Sequence, residues 1–221
     1  MNIFDILGPV MVGPSSSHTA GAARIGLMTR KLLGSVPVKA DIGMYGSFAA
    51  TGEGHGTDKA IIAGLLGMEP DDMRIPESFS IAKKEGLEFK FGEASLKGAH
   101  PNTVVLHVTG ENGRTMDVQA CSLGGGRIMI NELDGIELNC TCEMPTIVVN
   151  HQDLPGRVAE VTTMLSMLSI NIATMSVYRD KRGGRAVMVV ELDQEIQGDV
   201  LNILKNLKGI LKVTYISTGG R

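Results

Sequence analysis

The chain has 221 residues, 20% of them charged, with a formal net charge of -3, a balance that gives no electrostatic reason to expect nucleic acid as a partner. No apolar run approaches the roughly 18 residues of a membrane span, and "MNIFDILGPVMVGPSSS" lacks the basic region that opens a secretory signal, so a cytoplasmic location is expected. Three cysteines, Cys121, Cys140 and Cys142, are an odd number that fits no disulfide framework and supplies fewer ligands than a cluster of four irons or a structural zinc needs.

In chain order, "SHTAGAARIGLMTRKLLG" reads as a helix with Ser or Thr capping its start, Lys and Arg near its end and Gly34 after it. "VKADIGMYGSF" reads as a strand with a glycine-rich exit. The glycines at 52, 54 and 56 read as a loop, followed by a second helix from about Thr57 to Leu66. "ESFSIAKKEG" predicts a short helix, and "LEFKFGEAS" alternates apolar and polar residues like a half-buried strand. "NTVVLHVTG" and "RTMDVQACS" flank "ENG", a hairpin signal, and "GGGRIMINELDG" and "IELN" extend the sheet.

After a break at "CEMPT" the order becomes strand, helix, strand, strand, helix, strand. The second helix of this set, "QGDVLNILKNLKG", places Val200, Ile203, Leu204 and Leu207 on one face. The expected class is therefore α+β. An α+β domain occupies 1–142, and a ferredoxin-like βαββαβ domain occupies 145–221 with a sheet face or edge available for pairing.

Four stretches carry groups with chemical potential. In "PSSSHTAG" one residue would suffice as a cap, yet Ser15, Ser16, Ser17, His18 and Thr19 all offer short hydrogen-bonding groups. A helix start has free N–H groups and a positive dipole end, so the set points to an anion-binding start. In "GEGHGTD", His55 lies between glycines just before a helix that Thr57 or Asp58 could cap. It is either an exposed histidine or a proton-exchanging one, with Glu53 and Asp58 near enough in sequence to orient it. "SLGGGR" is neither a dinucleotide fingerprint nor a P-loop, and reads equally as a bend or a backbone contact to a ligand. "NHQDLPGR" is a strand-to-helix turn in which Asn150, Asp153 and Gly156 are candidates for a ligand or interface contact.

"GPSSSHTAGAARIG", "TGEGHGTDKA" and "SLGGGR", in that order and spacing, resemble the β subunit of iron–sulfur-dependent L-serine dehydratases, and "NHQDLPGRVAEV" resembles an ACT domain. The N-terminal part also resembles the allosteric substrate-binding domain of some phosphoglycerate dehydrogenases, although the dinucleotide fingerprint of a dehydrogenase is missing.

The resemblance implies conversion of L-serine to pyruvate and ammonia. It also implies a [4Fe–4S] cluster held by a separate α subunit, acting as Lewis acid on the substrate hydroxyl. On this chain it implies His18 and His55 as the polar catalytic pair, with His55 favoured as base and Thr57 in its support, and the sequence does not decide between the two histidines. Ser15, Ser16, Ser17 and Thr19 would bind the carboxylate or order the loop. Self-association through the ACT domain is expected. The competing expectation is a non-catalytic, amino-acid-binding regulatory subunit.

Overall fold

The computed structural model describes residues 10–196 and 200–217, so the N-terminal stretch read above for a signal, up to Pro9, lies outside the described residues. The chain forms two compact units, Met1–Asp134 and Gly135–Arg221. The sequence reading placed its break later, at "CEMPT", between 142 and 145.

The first unit begins with a π-turn, Ser16–Gly21, that runs directly into α1 (Ala22–Leu33). Next come β1 (Pro37–Met44), α2 (Ser47–His55), α3 (Thr57–Leu65), α4 (Ser78–Glu85) and β2 (Glu88–Glu93). β3 (Thr103–Gly110), β4 (Thr115–Gly124) and β5 (Arg127–Leu133) complete it. The strands run in the order β2-β1-β3-β4-β5, with β1 parallel to β2 and the other pairs antiparallel. Helix α1 lies between this sheet and α3, which explains why it is buried on most of its surface.

Two glycines set how closely α1 and α3 approach. A Cβ on Gly26 would stand 2.2 Å from the carbonyl oxygen of Ile61, and one on Gly64 would stand 2.0 Å from that of Ala23. Backbone meets backbone there, and no side chain fits between. Thr19 bonds to the His55 carbonyl near the start of both helices, and Arg30 bonds to the Leu65 carbonyl near their ends. The two helices therefore run side by side in the same direction, and both begin at one place.

Several local expectations change. The segment holding Gly52 and Gly54 is helix α2 and not a loop. Phe48, fully buried, anchors it, and Gly52 packs against Met44 and Thr57, so tertiary contacts outweigh about 1 kcal/mol of helix penalty per glycine. The chain breaks only at Gly56, whose φ of 67° is left-handed. Gly56 stands at the cap position of α3 without a side chain to cap it, Thr57 is buried, and Asp58 satisfies the first-turn N–H of Lys59. The strand read through to Phe48 ends at Met44, because Ser47 already belongs to α2.

The second unit contains β6 (Ile136–Cys140), β7 (Thr146–Gln152), α5 (Arg157–Met167), β8 (Ile172–Arg179), β9 (Arg185–Leu192), α6 (Val200–Lys205) and β10 (Ile210–Ile216). Its four-stranded antiparallel sheet has the order β10-β7-β9-β8, with two helices inserted in βαββαβ sequence. Alternation puts Ile147, Val149, Met188 and Val190 on one face, where they pack with Val161, Leu165 and Leu204 from the helices. Helix α5 begins after Gly156, so Pro155 precedes the helix and does not sit in its first turn. The opening residues of the predicted last helix, 197–199, lie outside the described residues.

Candidate active site

The serine-rich turn is held by its own first serine. Ser15 is the cap: its Oγ accepts the main-chain N–H of His18 at 3.1 Å. The carbonyl of Ser15 accepts from both Thr19 N at 2.9 Å and Ala20 N at 3.4 Å, which widens the turn to π geometry. The wider turn brings Ser16, Ser17 and His18 round together, all half-buried, while Thr19 turns inward. Thr19 Oγ1 donates to the His55 carbonyl at 3.2 Å and so ties the turn to the end of α2.

His18 points at α2. Its Nε2 lies 3.1 Å from Ser47 Oγ and 3.1 Å from Thr51 Oγ1, and its Nδ1 lies 3.4 Å from Ser15 Oγ. The ring meets Phe48 edge-on at 5.3 Å between centroids. Burial, joined by the repulsion of nearby His55, holds the His18 pKa below the ordinary histidine value, against the opposing effect of a hydrogen bond that the ring donates to the Ser47 main chain. The shift favours the neutral ring.

His55 closes the other side. Its ring lies 5.1 Å from that of His18 and is exposed. Its Nδ1 is 3.3 Å from the Thr51 carbonyl oxygen, which can only accept. In the neutral ring Nδ1 thus carries the hydrogen and the lone pair lies on Nε2.

Thr57 is fully buried at the start of α3, and its hydroxyl has no hydrogen-bond partner among the described residues. Asp58 accepts the N–H of Lys59 at 2.7 Å. The side chain of Glu53 lies outside the described residues.

The third glycine stretch joins the same place. Gly124, Gly125 and Gly126 have φ values of 90°, 61° and 75° and turn β4 into β5. Gly125 N–H donates to Ser16 Oγ at 3.3 Å. Ser17 Oγ lies 3.5 Å from where a Cβ on Gly124 would stand. The fold thus gathers Ser15, Ser16, Ser17, His18, Thr19 and His55 at the joint start of α1 and α3, with "SLGGGR" beside them. Sequence reasoning missed Ser47 and Thr51. Their i, i+4 spacing would have placed them on one face had the glycine-rich segment been read as helix.

The candidates in the second unit are engaged differently. Asp153 Oδ2 accepts from Arg179 at 3.1 Å and from Gly183 N–H at 2.9 Å. Gly156 stands in left-handed conformation at the start of α5, and Asn150 pairs within β7. Cys140 and Cys142 have sulfurs 3.4 Å apart, and none of the three cysteines is in a disulfide. Among the described residues no three His, Cys, Asp or Glu side chains gather as metal ligands. The three cysteines do not gather into the donor set of a [4Fe–4S] cluster, since even one with an open iron takes three thiolates.

The family model described as serine dehydratase beta chain matches residues 2–133, the whole stretch that builds this site. The chain belongs to the serine dehydratase beta chain family. An ACT domain model matches residues 146–209, in agreement with the βαββαβ fold of the second unit. The probable L-serine dehydratase beta chain of Bacillus subtilis is 44% identical over 216 residues, spanning 98% of each chain. The L-serine dehydratase beta chain of Peptoniphilus asaccharolyticus is 33% identical over 214 residues, spanning 96% of each. A D-3-phosphoglycerate dehydrogenase of Bacillus subtilis is 28% identical over 159 residues, 72% of this chain and 30% of that one. This family member has no helix, among the described residues, long and apolar enough to cross a membrane.

Proposed function

We propose that the chain is the β subunit of a cytoplasmic L-serine ammonia-lyase and that it supplies the proton-handling and carboxylate-binding half of a site shared with an α subunit. The observation that carries this reading is the meeting of a serine-rich helix start with two histidines 5.1 Å apart, one held and one exposed. The reading assigns the [4Fe–4S] cluster to the α subunit.

The N–H groups and hydroxyls of Ser16 and Ser17 receive the substrate carboxylate, whose charge suits the positive end of α1. His55 Nε2, with its lone pair accessible, takes the α-proton of serine. The hydroxide leaves the β-carbon as the double bond forms and, with the proton taken by His55, departs as water; the cluster on the α subunit would supply the Lewis acid that eases this departure. Aminoacrylate results, tautomerises to the imine and takes up water, giving pyruvate and ammonia. His18 stays neutral throughout, since a second positive charge beside protonated His55 is disfavoured.

The test is co-expression with the cysteine-rich partner under anaerobic conditions, followed by a pyruvate assay from serine. His55→Ala is expected to lower kcat by about 100-fold or more, and Ser16→Ala to raise KM with a smaller change in kcat. Full turnover in both His55→Ala and His18→Ala enzymes would instead favour the amino-acid-binding regulatory subunit.

A further inference from the structure

The neighbours of His18 decide which of its ring nitrogens carries the hydrogen. Thr51 follows Ser47 by one turn of α2, and its hydroxyl donates to the Ser47 carbonyl at 2.9 Å. A hydroxyl has one hydrogen. Thr51 Oγ1, 3.1 Å from Nε2, therefore faces the ring as an acceptor, and Nε2 must bear the hydrogen. Ser47 Oγ, at the same distance, shares that hydrogen.

On the far side of the ring, Ser15 Oγ already accepts the His18 main-chain N–H, so its own hydrogen is left for Nδ1. Both ring nitrogens are thus engaged inside the chain. His55 differs, because among the described residues only its Nδ1 is tied down.

We infer that Ser47 and Thr51 are positioning residues that hold His18 as the neutral Nε2–H tautomer, so that His18 fastens the serine turn to α2 and leaves proton transfer to His55. The final clause rests on the function proposed above, whereas the tautomer stands without it. The titratable group beside His18 among the described residues is His55. The other side chains around it, Ser15 on the turn and Ser47, Phe48 and Thr51 on α2, are uncharged. Protonating His18 would set it against His55, in keeping with its lowered pKa.

The experiment is ring-nitrogen NMR of the full chain labelled with 15N-histidine, between about pH 6 and 8. The expected spectrum assigns His18 a hydrogen on Nε2 and His55 a hydrogen on Nδ1. Thr51→Val, which keeps the shape and removes the acceptor, moves His18 toward a mixture of tautomers, and Thr51→Ser restores the original one. In the reconstituted two-chain enzyme, Thr51→Val lowers kcat by about 10- to 100-fold, and Thr51→Ser recovers most of it.

A hydrogen on Nδ1 of His18 in the unaltered chain overturns the inference. So does a Thr51→Val spectrum identical to that of the parent. If the tautomer responds as expected while His55→Ala turns over serine normally, the tautomer lock holds and the assignment of His55 as base fails.

Discussion

The starts of α1 and α5 make an instructive pair, since each follows a short turn rich in small and polar residues. At α1 the polar side chains reach other elements: Thr19 and His18 bond to α2, and Ser16 meets the turn after β4. At α5 one polar side chain reaches out, that of Asp153, and its two partners, Arg179 and the Gly183 N–H, tie it to β8 and the turn after it. The first arrangement gathers side chains from distant stretches into one cluster. The second secures a turn. Similar turn chemistry therefore yields a site only where neighbouring helices are packed so that their starts coincide.

That packing is the most sensitive point of the comparison. Gly64→Ala drives a Cβ to within 2.0 Å of the Ala23 carbonyl oxygen and 2.6 Å of Leu27 N. Neither backbone atom can move aside cheaply, so a loss of about 3 kcal/mol is expected. Hydrogen exchange resolved by amide should show it across α1 and α3, with the second unit unchanged. Parent-like protection in both helices would break the claim that backbone contact aligns the two starts.

Gly156→Ala at the start of α5 is the milder counterpart. Nothing lies within 4 Å of the added carbon, so only the left-handed φ of 92° costs, about 1 kcal/mol. A urea titration that monitors the second unit measures it. A loss as large as that of Gly64→Ala would mean that α5, too, is held by close contacts.

The smallest effect concerns acid. The Gly183 N–H, with Arg179 beside it, holds the Asp153 carboxyl below the usual carboxylate range. Its contribution is present above the unfolded value of about 3.9 and is lost as pH falls through the lower folded value. Asp153→Asn should flatten the acid limb of the stability curve of the second unit and leave neutral pH nearly unchanged. A parent-like acid limb would show that the turn does not depend on this charge.

The sequence by itself determined the elements whose signals are local. The βαββαβ order of the second unit, the β3–β4 hairpin and the helix closed by Gly34 follow from periodicity and turn chemistry, which act within a few residues. The serine turn and His55 stood out for the same reason, as a surplus of polar groups beside helix starts.

Only the tertiary structure decided that residues 47–55 are helical, because burial of Phe48 and the seat of Gly52 against Met44 and Thr57 overcome a glycine penalty that local reading must respect. It also decided the surroundings of His18. Ser47 lies 29 residues away and Thr51 lies 33 away, and no local pattern couples them to the serine turn. They meet because Gly26 and Gly64 let two helices touch backbone to backbone and so begin together.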